Sequence, residues 1–337
     1  MMRKIWLGLC GVFLWACAPM APMDAELVRP NAPVYAYAFN IKSQDVTIID
    51  TATNEVVGTK PLGASVRWLS NEQDFWDGRL IWTYDLVEGQ VHLIAIDPAT
   101  MRVERRLEIG AGPAHSVQLS PDRKTVMVNV AGENVIAIID RESLSIVRKV
   151  PTGAFPCDID LAPGGRIAYV PERDQDTVAK LDLGSFEIVG RVSLPEGSKP
   201  HMLRVAPDGG SVWVLTAVNG TNEVLDPDTL AVVDSRKLGK VPVTNAWTPD
   251  GRHAYVTHFG DPFISVVDAT SYREVARIQV GKQIANVAFR PDGRYAYATV
   301  RGENKIAVID TARMEVVKEL PAGEQPFGLV VMSPPEG

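Results

Sequence analysis

An all-β fold, a seven-bladed β-propeller with four-stranded blades, is predicted by three features of the sequence. A Pro-Asp-Gly turn followed by apolar alternation recurs as SPDRKTVMV, APGGRIAYV, APDGGSVWV, TPDGRHAYV and RPDGRYAYA. Its leading prolines, Pro121, Pro163, Pro207, Pro249 and Pro291, are spaced 42, 44, 42 and 42 residues apart. A second phrase, an Asp-led turn between two alternating segments, recurs seven times, from VTIIDTATNEVV through IAIIDRESLSIV to IAVIDTARMEVV. No 3.6-residue helical period intervenes. Four short strands in a period of about 40–45 residues are the mark of a propeller blade.

Taken in chain order, residues 1–17 read as an export signal. Arg3 and Lys4 are followed by an apolar run, Ile5 to Trp15, of about eleven residues, too short to span a bilayer. The run closes with Leu14-Trp15-Ala16-Cys17, a lipobox-like end that makes Cys17 the expected lipidation site and a membrane anchor; the rival reading is ordinary signal-peptidase cleavage after Ala16-Cys17-Ala18, which would put Pro19 unfavourably just past the cut. Ala18 stands where an aspartate would favour retention in the inner membrane, which points to the outer membrane of a periplasmic envelope. Residues 18–33 are rich in proline and alanine and read as a tether.

Residues 34–333 are assigned to the ring. Residues 34–61 supply three strands of a first blade that lacks its leading strand. Phe75 to Trp82 carry a weakened Pro-Asp-Gly copy. Five regular periods follow. The last apolar segment, Pro326 to Met332, is a leading strand with no blade behind it. It is expected to complete the amino-terminal blade, which removes open sheet edges. Trp82, Tyr169, Trp213, Tyr255 and Tyr297 share one slot on the second strand and are expected to pack blade against blade.

The phrases AYVTH, AYVPE and AYATV beside VIDTAT and VIDTAR resemble YVTN-type β-propeller repeats. The resemblance implies the propeller fold over about residues 34–333. The scaffold is similar to periplasmic or surface proteins, to copper- and haem-bearing denitrification enzymes and to sugar lactonases. Fold alone does not choose among them.

Composition narrows the classes. The 337 residues include 34 Lys plus Arg against 41 Asp plus Glu, a net charge of −7, which argues against a nucleic-acid partner. Three cysteines, Cys10, Cys17 and Cys157, exclude a disulfide-stapled scaffold. If residues 1–17 are a signal, Cys157 is the one free thiol left in the fold. No Gly-x-Ser-x-Gly elbow, His-Glu-x-x-His pair, Walker loop or haem-attachment Cys-x-x-Cys-His occurs. The aspartates of the second phrase, such as Asp50, Asp140, Asp268 and Asp310, read as turn-capping side chains.

Aligning the blades on the turn proline brings His115, Cys157 and His201 to one level of three adjacent leading strands. With His258 from a facing loop, they form a candidate metal set for Cu, Zn or haem iron, because imidazole and thiolate together suit those ions. Met202 would add softness for Cu(I). Pro113 in GPAH lies one place earlier than its counterparts, a slip that could turn His115 away. The other reading makes Cys157 a small buried hydrophobe and the histidines hydrogen-bonded channel residues. Asp158, Glu172, Arg204, Asn245 and Asn286 are the remaining candidates for a ligand at the channel mouth. Arg204 is also expected to pair with Asp160.

Three functions follow. The leading one is a non-catalytic binding or scaffold lipoprotein that offers its top face to an envelope partner or small ligand. The second is metal or haem handling through His115, Cys157, His201 and His258. The third is a lactonase-like hydrolase with Ca²⁺ held by Asp158, Glu172, Asn245 and Asn286. A closed ring of this length is self-sufficient, so a monomer is expected.

Overall fold

A computed structural model describes residues 33–64, 66 and 75–333 of the chain. The export signal, Cys17 and nearly all of the tether lie outside the described residues. The ring is a seven-bladed β-propeller. Six sheets have four strands each, and among the described residues the second blade has three. An isolated bridge, Val66 to Asp85, lies on the open side of that blade's first strand.

Blade 1 is ordered Pro326–Met332, Tyr35–Asn40, Asp45–Asp50, Glu55–Pro61. The last strand of the chain therefore completes the first blade, as expected. Tyr35 faces Met332 and Tyr37 faces Val330 across this seam. Blade 2 holds Ile81–Val87, Gln90–Asp97 and Arg102–Ala111. The innermost strands of blades 3 to 7 are Val117–Leu119, Asp160–Leu161, Pro200–Val205, Pro242–Trp247 and Ile284–Phe289.

Local chemistry explains the repetition. In all seven blades the aspartate ending the third strand accepts backbone N–H groups two or three residues on. Examples are Asp50 from Ala52, Asp140 from Ser143, Asp268 from Ser271 and Asp310 from Arg313. These Asx turns fix the hairpin to the outermost strand. The aspartate of the Pro-Asp-Gly turn does the same at the inner hairpin, as Asp208 does for Gly210 and Asp250 for Arg252.

The core is divided into apolar clusters packed between neighbouring blades. The aromatic slot of the second strand is buried throughout: Trp82, Tyr169, Trp213, Tyr255 and Tyr297 have almost no exposure. The hydroxyl of Tyr169 reaches the carbonyl of Pro227 in the next blade at 2.9 Å. Met202 packs beside Trp213 and Val256 in one of these clusters, so its sulfur belongs to the core and not to the channel mouth.

Outer edges are blunted by a repeated device. In six blades the outermost strand carries a one-residue bulge whose extra residue is valine: Val57, Val147, Val189, Val233, Val275 and Val317. Each is exposed. A bulge twists an edge away from further pairing, which discourages sheet-to-sheet aggregation.

Candidate metal centre

The innermost strands of blades 1, 5, 6 and 7 also bulge. Pro200 pairs with Thr216 and Met202 with Leu215, so His201 is the extra, unpaired residue. Ala285 holds the same position in blade 7. A bulge re-aims a side chain out of the ladder, and this one turns His201 toward the mouth. The residue just before the inner strand is left-handed in blades 5, 6, 7 and 1, with Lys199 at φ 53°, Val241 at 50°, Gln283 at 54° and Gln325 at 55°, and Phe155, just before the isolated bridge of Pro156 in blade 4, is left-handed at 58°.

Cys157 is anchored from both sides. Its amide donates to the carbonyl of Pro171 at 3.1 Å. The loop before it is tied down by Phe155 N–H to Asn134 Oδ1 at 2.9 Å and by Gly153 N–H to Glu172 Oε1 at 2.7 Å. Gly153 is required here, because a Cβ would meet the Glu172 carboxyl group at 2.7 Å. His115 is fixed by its amide, which donates to the Asn129 carbonyl at 3.0 Å.

The structure brings these three residues together. The ligating atoms of His115, Cys157 and His201 all lie within 4.8 Å of one another. The early proline at Pro113 therefore does not turn His115 away. The two imidazoles meet edge to face with centroids 5.1 Å apart. Both histidines are partly exposed, whereas Cys157 is 0% exposed. The cluster is thus a thiol at the bottom of a recess with two imidazoles on its solvent side.

Burial lowers the pKa of His201 from 6.5 to about 4, and the Arg173 guanidinium adds to this. Burial, His201 and Arg173 hold His115 well below the usual range, against a hydrogen bond with the Cys157 backbone. Both rings are neutral at pH 7 and keep a lone pair for an ion. Burial pushes the Cys157 thiol up, with Arg173 opposing. A cation would have to displace that proton.

Two residues that sequence reasoning missed complete the surroundings. The Arg173 guanidinium lies over the Phe155 ring, 3.9 Å from its centroid. The Phe155 ring meets His115 edge-on at 5.6 Å. Their signals were present but unremarkable: Phe155 precedes the proline of FPCD, and Arg173 follows the second strand of the same blade.

The fourth expected ligand is a correction. His258 is not in the cluster. It is fully buried within blade 6, where Nε2 lies 3.0 Å from Ser265 Oγ and the ring packs on Phe263. Ser265 in turn donates to Glu274 on the outermost strand. Glu172 plays the same part in blade 4. Its carboxylate accepts from Thr177 Oγ1 at 2.7 Å, from Arg191 Nε at 3.0 Å and from the Gly153 amide. Both residues end a second strand and look outward along the blade, because that position locks the incoming linker to its sheet.

The expected calcium set is likewise not assembled around one point. Asp158 turns to the next blade, where Oδ2 accepts from Leu203 N–H at 3.1 Å. Glu172 faces the outer strands of its own blade. Asn286 Oδ1 accepts the N–H of Val287, its own chain neighbour. Asn245 is buried on the innermost strand of blade 6. Asp160 Oδ2 accepts from Val205 N–H at 2.7 Å, and Arg204 stands 3.6 Å from Asp160 Oδ1, as expected. Asp158 and Asp160 thus cap alternate amides on the channel edge of blade 5. Burial pushes the Asp158 carboxyl up to about 7, against the pull of Arg204.

No family model matches the chain, and no curated protein sequence matches it. Solved structures do. Hydrazine synthase from Kuenenia stuttgartiensis is 19% identical, with a TM-score of 0.67 over 77% of this chain and 87% of that one. Dihydro-heme d1 dehydrogenase NirN, solved in complex with DHE, is 20% identical, with a TM-score of 0.64 over 87% of this chain and 66% of that one. A functionally unknown protein from Desulfotomaculum acetoxidans is 14% identical, with a TM-score of 0.73 over 89% and 99%. At these identities the likeness is one of fold, and the chain is a seven-bladed β-propeller.

Proposed function

We propose that this chain is an exported β-propeller that binds a soft transition-metal ion at its channel mouth through His115, Cys157 and His201. The observation that carries this reading is the convergence of three good ligands from three successive blades within 4.8 Å. Neutral imidazoles and a thiolate form a donor set for Cu or Zn. A lone thiol in an oxidising compartment is also protected by ligation. The neighbour solved with a haem-related ligand supports small-molecule or metal traffic on this scaffold, and the YVTN-like phrases support an envelope setting.

The role is binding and delivery. No hydrolytic signature accompanies the cluster in sequence. Residues 1–17 direct export, Cys17 carries the lipid, and the ring presents its mouth to a periplasmic partner. Elemental analysis tests the core of this reading. The untagged chain, purified without chelators, is expected to carry one ion per chain, and Cys157→Ala none. Equal metal content in the two proteins would remove the reading.

A further inference from the structure

The loop between the second and third strands ends on a left-handed residue in five blades: Gln44, Asn134, Asp176, Gly220 and Asn304. In three of them its side chain caps the linker that enters the next blade. Asn134 Oδ1 accepts the Phe155 amide at 2.9 Å, Asn304 Oδ1 the Gln325 amide at 2.8 Å, and Asp176 Oδ1 the Lys199 amide at 2.7 Å. Blade 6 breaks this pattern. Pro262 holds the position, and its ring keeps φ near about −65° and carries no acceptor. Gln283, the counterpart of Phe155, Lys199 and Gln325, is therefore left with an amide that donates to no group among the described residues.

An open groove of about 480 Å³ lies at this point, lined by Phe259, Asp261, Pro262, Lys282 and Gln283 among others. Lys282 is exposed and forms no ion pair among the described residues. Glu303, on the next loop, is engaged elsewhere: it holds Lys305 Nζ at 2.7 Å and accepts the Lys282 amide at 2.9 Å. Asp261, the acid on the groove wall, has Oδ2 turned to the Lys240 amide at 2.6 Å. Arg301 borders the groove, 5.9 Å over the centre of the Phe259 ring. It donates to Gln325 Oε1 at 2.9 Å and pairs with no acid among the described residues.

We propose that this groove binds a small organic carboxylate, which caps the Gln283 amide and is attracted by Lys282 and Arg301. The chain holds its own example of the chemistry. The Asp176 carboxylate takes the Gly197 and Lys199 amides at 2.7 Å each, at the equivalent place between blades 4 and 5. Such bonds are charge-assisted and stronger than neutral ones. The volume exceeds what a carboxylate alone fills, so the ligand carries an apolar body that rests on Phe259 and Pro262. Gly220 in blade 5 offers no cap either, but the groove lies at Pro262, where Phe259 supplies the apolar wall. The site shares no residue with the His115, Cys157 and His201 cluster, and binding is noncovalent.

Amide-resolved NMR of the untagged chain, titrated with benzoate, tests this. Benzoate is expected to shift the Gln283 amide with a Kd of about 1 mM. Benzamide, its neutral isostere, is expected to bind at least about tenfold more weakly. Lys282→Gln is expected to weaken benzoate binding about threefold, the size of one exposed charge. Pro262→Asn supplies the cap seen at Asn134 and Asn304 and is expected to abolish the benzoate shift at Gln283. Circular dichroism and thermal melting certify the fold of both variants. A Gln283 amide that benzoate leaves unmoved, benzamide binding as tightly as benzoate, or an unchanged benzoate affinity in the two variants overturns the proposal. Inorganic phosphate binding more tightly than benzoate overturns the carboxylate assignment.

Discussion

The imidazoles of His115 in blade 3 and His201 in blade 5 meet edge to face at 5.1 Å, with 89° between their planes. They are 86 residues apart in the chain. Cys157, from the blade between them, supplies the third ligating atom. Neighbouring blades thus deliver one side chain each to a common point. His201 is the extra residue of an inner-strand bulge, whereas His115 and Cys157 lie just ahead of the paired residues of their inner strands.

His201→Ala is expected to weaken Cu(I) binding at least about tenfold, since one of three donors is lost. The ring is partly exposed, so the fold should survive with a change of roughly 1 kcal/mol or less. Competition against a chromophoric Cu(I) chelator measures the first, and urea unfolding the second.

Cys157→Ser is expected to abolish binding and to destabilise the ring by about 1–3 kcal/mol, because a hydroxyl replaces a thiol at a fully buried position. Cys157→Ala should cost less in stability and as much in binding. Chemical denaturation of both variants separates the packing effect from the ligand effect.

Glu172→Gln tests whether that residue belongs to the blade and not to the site. The change removes the charge that holds Arg191 and weakens the tie to Gly153. Stability should fall by about 1–3 kcal/mol, moderated by solvent around the half-exposed Arg191. Metal stoichiometry should remain one. Loss of the ion with stability intact would mean that Glu172 is a ligand.

The propeller was legible because turn chemistry is written locally. Asp140 and Asp268 cap their own hairpins, and the Pro-Asp-Gly period repeats the other hairpin, so blade number and closure follow from counting. Alignment also brought His115, Cys157 and His201 to one level. It could not separate His258 from them, because two residues at the same height can look inward or outward depending on the strand that carries them. Asn40, Glu172, Thr216 and His258 each end a second strand and are buried. That recurrence of polar residues was the available signal for a structural role. Arg173 was illegible for a different reason: its importance comes from stacking on Phe155, a contact between the ends of two loops.

His258 also gives a pH prediction. Burial holds its pKa at about 4 in the fold, with Asp261 and Glu274 opposing and Arg277 reinforcing, against 6.5 as the ordinary value. Between those values the unfolded chain takes a proton that the fold refuses, so stability falls as pH drops from 7 toward 4. His258→Gln lacks this proton. The stability of wild type relative to His258→Gln should therefore fall by about 2 kcal/mol between pH 7 and pH 5. Urea unfolding at the two pH values checks it; a constant difference would contradict the buried neutral imidazole.

Val241 offers a test of backbone strain. This β-branched residue is exposed and sits at φ 50°, a conformation that Asn or Gly adopts more easily. Val241→Asn should stabilise the ring by about 0.5–1 kcal/mol in thermal or chemical unfolding.

The central claim is that three blades share one ion, and metal content measures it most directly. Inductively coupled plasma analysis of the untagged wild type, Cys157→Ala and His201→Ala, each purified without chelators, should find one transition-metal ion per wild-type chain and substoichiometric amounts in both variants. Wild type free of metal, or all three proteins carrying the same amount, would contradict it.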